Sequence, residues 1–481
     1  MAATLPRIVW RSTRQPPVPF FARVRNWLRL DAEKGFSPAA LVEASSRIAG
    51  TAGAVSAKED AIGLLQLAAE VEHALMVQYL YAAWSIPVDV VGAGNNEAQF
   101  HARQILVGIA VEEMMHLLSV QNLLIALGGP EAMHMGRDQI RSASDHNPLP
   151  LALEGLSRGV LAKYIVAEMP AEIADPELRR KTEDLRLLAM QATGGVELNH
   201  VGAIYSALQW IFQNDDTPME PLSLGVDQGY TTGWHLDAGD FSDAAIINAH
   251  AATRGPDWHA GTDAHKLAVV TNAEDGLALL RDISEQGEGL GKQHASHFGK
   301  FLDLLAGLDA HTFTVTALPV SPYGKYPPPP ETAIKSEITD PYTLLWSEWF
   351  DVRYNMLWLD FGHALALPRS DKNRRKIREM LFEHMTAGLQ GLAGRLTQLP
   401  MAEGSPDAAA PTFGLILQQL PERSLMKSAQ ENLLAMEVSA IAAIRAHPRF
   451  VQDPAGGLVV SRFVAPNGFH TKRVKVINQL D

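Results

Sequence analysis

Apolar residues recur every three to four positions over long stretches of this chain, a spacing typical of buried α-helices. The first clear stretch covers residues 60–86, with Leu64, Val71 and Leu75 in the pattern and Pro87 at its end. A second covers residues 97–127 and is stopped by Gly128 and Gly129. Because only a short loop joins these two helices, they are predicted to be antiparallel neighbours.

The same spacing predicts helical segments along the rest of the chain: 156–169, 176–193, 196–212, 273–308, 342–367, 371–399 and 421–447. Gly287 and Gly289 fall inside the fourth of these and predict a break there. Near the carboxyl end, a Val-rich stretch around Asn467 and Gly468 reads as a short β-hairpin. The predicted fold class is therefore mainly α, with a four-helix bundle in the first two-thirds of the chain.

Breaks in the helical pattern divide the chain of 481 residues into five parts. Four consecutive prolines at 327–330 indicate an extended, polyproline-like linker between two helical regions. The loop-rich stretch 214–275 is long enough to be a functional insertion. The predicted parts are an arm with short helices (1–59), a bundle with that insertion (60–310), the linker (311–340), a C-terminal helical region (341–447) and a tail (448–481).

Composition narrows the classes of function. The net charge of −13 gives no basic surface and argues against nucleic-acid binding. The chain has no cysteine, which excludes thiolate metal sites and iron–sulfur clusters, so a metal would need His, Asp or Glu ligands. No uninterrupted apolar run reaches the length of a membrane span. We expect a soluble, cytoplasmic protein that acts on a small molecule, with a homodimer as an open alternative.

Four of the predicted long helices each carry Glu or His residues that could face a common interior. One Glu–His pair three residues apart on a buried helix can equally be a polar pair that satisfies itself, but four such groups together favour a metal centre. The candidate metal ligands are Glu72, Glu113, His116, Glu197, His200, Glu288, His294 and His297.

Several neighbours of these ligands have supporting roles in this interpretation. Glu70 and Glu112 should point away from the centre and either support the ligands or face solvent. Tyr79 and Tyr205 are expected in the core, where each could hydrogen-bond a ligand carboxylate. His73 is expected to be a hydrogen-bonded partner rather than a ligand.

These residues resemble the ferritin-like superfamily. Glu72 precedes Gln78-Tyr79 as the first-helix ligand does in ferritin-like proteins, and Glu113-Met114-Met115-His116 is similar to their second-helix Glu-x-x-His motif. Stretches 70–82, 285–289 and 296–298 further resemble the ferritin-like domain of iminophenyl-pyruvate dimer synthases of the violacein and rebeccamycin pathways. The resemblance covers about residues 60–310, and residues such as Phe350 and Arg353 extend it.

The resemblance implies a non-haem iron centre, di-iron or mononuclear, with manganese as another metal, in an oxidoreductase acting on a small, amino-acid-derived substrate. The chain departs from the ferritin pattern at His294, where a glutamate is expected, and Glu288 could replace that acid. A non-catalytic iron-binding protein and a metal-free helical scaffold remain alternatives. Catalysis of imine coupling, as in the pathway enzymes, rests on the resemblance alone.

Overall fold

A computed structural model describes residues 56–87, 97–136, 152–170, 173–193, 195, 198, 201–213, 235–253, 267–288, 296–319, 321–322, 338–414 and 420–480. Nearly all of the predicted arm, the run of four prolines and just over half of the 214–275 stretch lie outside these residues. Within them the structure is almost entirely helical, and the mainly α prediction is confirmed. Two short segments, β1 (Ala152–Leu153) and β2 (Ser321–Pro322), pair antiparallel.

Two long helices form the centre of the fold. Helix α1 (Ala57–Trp84) begins with a capping box in which Ser56 and Glu59 satisfy each other's backbone N–H groups. Helix α2 (Glu97–Gly128) runs back alongside it, as the short connection predicts. α2 is long and apolar enough to cross a membrane, yet 89% of its most apolar window is buried inside the protein, as in the core helix of a bundle.

The described residues of the first part contain six further helices: α3 (Arg158–Ala167), α4 (Pro176–Ala192), α5 (Gly202–Phe212), α6 (Ala244–His250), α7 (Ala273–Glu288) and α8 (His297–Asp309). The break expected near Gly287 and Gly289 separates α7 from α8. The predicted start of the third long helix at residue 196 was wrong, because Leu198 lies outside the helix and Gly195 has a φ of 94°. Asn122 binds Ala252 and Ala268 through its side-chain amide and so attaches the insertion to α2.

The C-terminal region contains α9 (Pro341–Ala366), α10 (Lys372–Glu383), α11 (Leu389–Leu396), α12 (Met426–Ala446), α13 (Pro454–Val464) and α14 (Phe469–Ile477). A π-helical turn, His384–Gly388, separates α10 from α11, which were predicted as one helix. The predicted hairpin was wrong. Pro454 at the first turn of α13 and the Asp453 side chain, which accepts the N–H of Gly456, start a helix there instead.

Helix α9 packs the C-terminal region directly against α1 and α2. Its residues Trp346, Trp349 and Tyr354 are fully buried. His73 of α1 hydrogen-bonds the Tyr354 hydroxyl. The Trp358 indole donates to the Met135 carbonyl over 2.6 Å. The bundle and the C-terminal helices therefore share one hydrophobic core.

Candidate metal centre

Acidic and imidazole side chains from four elements meet between α1, α2, α3 and α8. Glu72 lies on α1, Glu113 and His116 lie on α2, Glu168 is the C-cap of α3, and His297 is the first residue of α8. All five are at most 3% exposed. They form two groups whose ligand atoms lie within 4.8 Å of one another: Glu72, Glu113 and His116, and Glu113, Glu168 and His297.

Glu113 belongs to both groups and joins them. Its Oε2 lies 2.9 Å from Nδ1 of His116, and its Oε1 lies 3.0 Å from Nδ1 of His297. Glu72 Oε2 is 3.5 Å from the same nitrogen of His116, and Glu168 Oε1 is 3.8 Å from that of His297. One carboxylate shared by two Glu–His groups is the arrangement of a carboxylate-bridged metal pair.

Three buried atoms of this cluster lack a well-aligned hydrogen bond: Glu72 Oε2, Glu113 Oε1 and His297 Nδ1. Buried polar atoms in native proteins are normally satisfied, so three together require an explanation. All three belong to oxygen or imidazole-nitrogen groups of the kind that bind iron and manganese. The donor set therefore fits a pair of divalent cations.

Both imidazoles are held with Nδ1 toward the centre. His116 Nε2 lies 2.8 Å from Oε1 of Gln286 on α7, and His297 Nε2 lies 2.9 Å from Oε2 of Glu112. These oxygens only accept hydrogen bonds, so Nε2 of each ring carries a proton and Nδ1 faces the centre, where a cation would replace a proton. Glu112 also binds Lys300, which holds its carboxylate in place.

Two tyrosines bind the candidate ligands, as the sequence allowed. The Tyr205 hydroxyl donates to Oε1 of Glu72, and the Tyr79 hydroxyl donates to Oε1 of Glu168 over 2.7 Å. Burial and the neighbouring carboxylates raise the pKa of both phenols well above the usual value. The tyrosines therefore remain protonated donors that orient one carboxylate in each group.

The acidic and imidazole groups of the cluster lie so close together that they shift one another's pKa values. Burial and the charge of Glu113 raise the pKa of Glu72 to about 8. Burial alone would lower the pKa of His116, but hydrogen bonds to Glu113 and Glu72 raise it to about 10. Burial opposes ionisation of Glu113 too, but His297 and His116 hold its pKa well below the usual value. In metal-free protein, protons therefore bind Glu72 and His116 at the positions that a cation would occupy.

The cavity at this centre is small. It measures about 20 Å³. Its lining includes Glu72, Glu113, His116, Glu168, Tyr205 and Gly287. A Cβ atom at Gly287 would lie 3.0 Å from Oε2 of Glu168, so the glycine allows α7 to approach the carboxylate closely. A cavity of this volume has room for about one water-sized group.

The predicted ligands can be placed as follows. Glu72, Glu113, His116 and His297 come together in the structure. Glu197, His200, His294 and the side chain of Glu288 lie outside the described residues, so their part in the site stays a prediction. Glu70, expected to point away, binds His134 over 2.6 Å, and Glu112 supports His297.

Sequence reasoning missed Glu168. It has no His three residues away and stands at the end of an apolar helix, so spacing alone did not single it out. A signal was present, since a lone acid followed by Met169 and Pro170 after a run of buried residues needs a buried partner.

Comparison with known proteins agrees with this geometry. A family model described as ferritin-like matches residues 65–306, about half of the chain. The chain belongs to the ferritin-like family. The match begins on α1 and ends on α8. It therefore contains the five clustered residues Glu72, Glu113, His116, Glu168 and His297.

Two curated proteins are similar to this ferritin-like chain. Dichlorochromopyrrolate synthase of Lentzea aerocolonigenes is 26% identical over 416 residues, which cover 78% of this chain and 37% of that protein. The 2-imino-3-(indol-3-yl)propanoate dimerase of Chromobacterium violaceum is 32% identical over 143 residues, 25% of this chain and 14% of that protein. The chain thus aligns with well under half of either relative's length. No solved structure matches it.

Proposed function

We propose that this ferritin-like protein is a metal-dependent oxidoreductase whose cluster holds two iron ions and acts on a small, amino-acid-derived substrate. The observation that carries the proposal is the shared position of Glu113 between two Glu–His groups with unsatisfied buried atoms. Glu72 and His116 would hold one ion, and Glu168 and His297 the other. Three carboxylates offset three of the four positive charges of two divalent cations and leave one positive charge in excess.

A bound iron pair would supply electrons for the reduction of dioxygen or accept them from a substrate. The protein's own residues would prepare that chemistry. Gln286 and Glu112 fix the imidazole rings, while Tyr205 and Tyr79 hold a carboxylate oxygen each. The apolar core around these groups keeps bulk water away, which strengthens every charge interaction inside.

The metal part of the proposal is tested by removing one ligand at a time. Protein stripped with a chelator and reloaded with Fe(II) without oxygen should hold about two iron ions per chain. Glu72→Gln and Glu168→Gln should each weaken one of the two positions, whereas Glu113→Gln should weaken both. Glu70→Gln is the matched control, because Glu70 is equally buried on α1 but binds His134 instead.

The outcomes separate the alternatives. If Glu113→Gln loses iron from both positions while Glu70→Gln still binds the full amount of iron, the result supports the shared site. Many iron ions per chain would indicate storage instead of catalysis. No iron uptake by the unmodified protein would reject the metal centre and leave a helical scaffold.

The substrate class is proposed from the two relatives. By its name, the Chromobacterium violaceum protein joins two molecules of an indole-bearing α-imino acid. An oxidative carbon–carbon coupling of two such imines releases two protons and two electrons. A pair of ferric ions could accept one electron each, and dioxygen, as the terminal oxidant, would take up these electrons and the protons. We therefore propose an aromatic α-imino acid as the substrate of this chain.

This part is tested by incubating the iron-loaded protein in air, which supplies dioxygen as the oxidant, with the imine formed from an aromatic α-keto acid and ammonia. A product with twice the substrate mass less two hydrogens, absent with Glu113→Gln, supports the proposal. Unchanged substrate in a protein that holds its iron would reject the substrate class but not the metal centre.

A further inference from the structure

A second candidate binding site lies in the C-terminal region, away from the metal ligands. A cleft of about 1000 Å³ opens between the end of α9, the start of α10 and the segment before α12. This volume is at the upper end of the range for small-molecule pockets. The metal proposal does not use any residue of this cleft.

The charged residues of the cleft favour an anion. Lys372, Arg423 and Lys427 line it, against the two acids Asp371 and Glu422, so one positive charge is in excess. This excess occurs in a protein of net charge −13. Arg423 is held only loosely, since its Nη2 lies 3.9 Å from Asp371 Oδ2 and its side chain is 61% exposed. The guanidinium is therefore able to turn toward a ligand.

The amino end of α10 adds to this positive potential. Asp371 caps the helix by accepting the backbone N–H of Asn373 over 2.8 Å, and the first two residues of α10 line the cleft. The amino end of a helix carries a partial positive charge and attracts oxyanions.

Two buried polar atoms in the cleft wall lack a partner. His363 Nδ1 and Asn373 Oδ1 make no hydrogen bond with any described residue, although the side chains are only 6% and 8% exposed. Burial and the charge of Arg423 lower the pKa of His363 to about 4, so the ring is neutral near pH 7. Asn373 Oδ1 can only accept a hydrogen bond. It therefore needs a donor that none of the described residues supplies.

We infer that this cleft binds a small oxyanion, a carboxylate or a phosphate, that also carries a hydrogen-bond donor. The oxyanion lies against Arg423 and Lys372 at the amino end of α10, and the donor reaches Asn373 Oδ1. An α-amino acid has both groups, and so does a partly protonated phosphate. Acetate has the oxyanion without the donor.

Calorimetric titration of the full-length chain with alanine, inorganic phosphate and acetate tests this inference. Alanine or phosphate should bind saturably at one site and more tightly than acetate. Arg423→Gln should weaken that binding at least about tenfold, the effect expected for one charge-assisted hydrogen bond. Arg445→Gln is the matched control, because Arg445 is an exposed arginine of α12 outside the cleft. It should bind as the unmodified chain does.

A second variant tests the donor contact. Asn373→Leu keeps the approximate size of the side chain and removes Oδ1, so it should abolish the preference over acetate while acetate still binds. Tighter binding of alanine would identify an amino-acid-like ligand, and tighter binding of phosphate a phosphorylated one. No saturable binding of any probe, or equal binding to the unmodified chain and Arg423→Gln, would overturn the inference.

Discussion

At the scale of single residues, the cluster depends on side chains that orient the ligands as much as on the ligands themselves. Glu112 is the clearest case. It directly precedes the candidate ligand Glu113 in the chain, yet its carboxylate turns to His297 and Lys300. Burial opposes ionisation of Glu112, but His297 and Lys300 lower its pKa to about 2, so it stays charged.

Glu112→Ala should therefore weaken metal binding at the His297 position by about ten- to a hundredfold, the usual effect of removing a residue that supports a metal-bound histidine. Competition with a fluorescent chelator measures the affinity. Lys300→Ala is the control, since it removes the other partner of Glu112 and keeps the contact to His297. Equal affinities for Glu112→Ala and the unmodified protein would contradict this role.

The titration of Glu72 predicts how metal-free protein responds to pH. The folded state holds a proton on Glu72 up to about pH 8, whereas the ordinary pKa is 4.5. Between these values the folded state binds more protons than the unfolded state, so the stabilising contribution of this group is lost as pH rises through 8. His116, with a pKa of about 10, acts in the same direction.

Chelator-treated protein should accordingly melt at lower temperature at pH 9 than at pH 6, measured by calorimetry. Glu72→Gln keeps a neutral side chain at every pH and should reduce this decline. Iron-loaded protein should behave differently, because metal ions bind the deprotonated ligands. A decline of the same size in Glu72→Gln would show that other groups cause it.

Residue-scale prediction from sequence succeeded where the local spacing was distinctive. Glu113 and His116 stand on one face of a helix, and that geometry is fixed by the helix itself. Glu168 could not be found in this way, because its position near Glu113 depends on how α3 packs against α8. The packing of separate helices is not encoded in local spacing.

At the scale of elements, glycines decide how closely the helices approach. Gly276 of α7 faces Phe212 of α5, and a Cβ atom there would lie 2.4 Å from the ring. Gly108 of α2 is exposed and has no atom within 4 Å of such a Cβ position. The same substitution should therefore have opposite effects at the two sites.

Gly276→Ala should lower the free energy of unfolding by about 1–3 kcal/mol, because the extra methyl group overfills a packed interface. Gly108→Ala should raise it by about 0.5–1 kcal/mol, since alanine favours the helix. Urea denaturation monitored by circular dichroism measures both. Stabilisation by Gly276→Ala would show that α5 and α7 are not packed as described.

Element-scale prediction was limited where tertiary contacts override local preference. The Val-rich tail has strand-like composition, but Asp453 and Pro454 start a helix, and Arg473 and Ile477 of α14 are buried on one face. The chain around Asn467 and Gly468 connects two helices instead of two strands. The sequence 371–399 has a continuous helical pattern, yet a π-helical turn at His384–Gly388 interrupts it.

At the scale of the whole molecule, buried ion pairs hold the C-terminal helices together. Glu437 of α12 accepts hydrogen bonds from Arg353 and from the Trp349 indole of α9. Arg473 of α14 binds Asp360 over 2.8 Å. None of these charged groups is more than 1% exposed, so removing one partner leaves the other as a buried, unpaired charge.

Glu437→Gln should lower the free energy of unfolding by about 3–5 kcal/mol, the cost of breaking a buried ion pair. Arg375→Gln provides the contrast, because Arg375 and Glu379 form an exposed pair that contributes about 0–1 kcal/mol. Thermal and urea unfolding compare the two variants. Similar, small effects would mean that the C-terminal helices are held together without this network.

The sequence predicted the fold class of the molecule well, because long helical patterns and a ferritin-like resemblance agreed. It did not predict that α9 would lie against α1 and α2 with His73 bonded to Tyr354. Such contacts join residues more than two hundred positions apart, and the spacing of apolar residues along the chain does not predict them.

The central claim is that Glu113 joins two metal positions. Anomalous diffraction at the iron edge from crystals loaded with Fe(II) tests it most directly. Two anomalous peaks should appear, one between Glu72 and His116 and one between Glu168 and His297, with Glu113 between them. No peak beside Glu113 in iron-soaked crystals, or a peak only at surface residues, would contradict the claim.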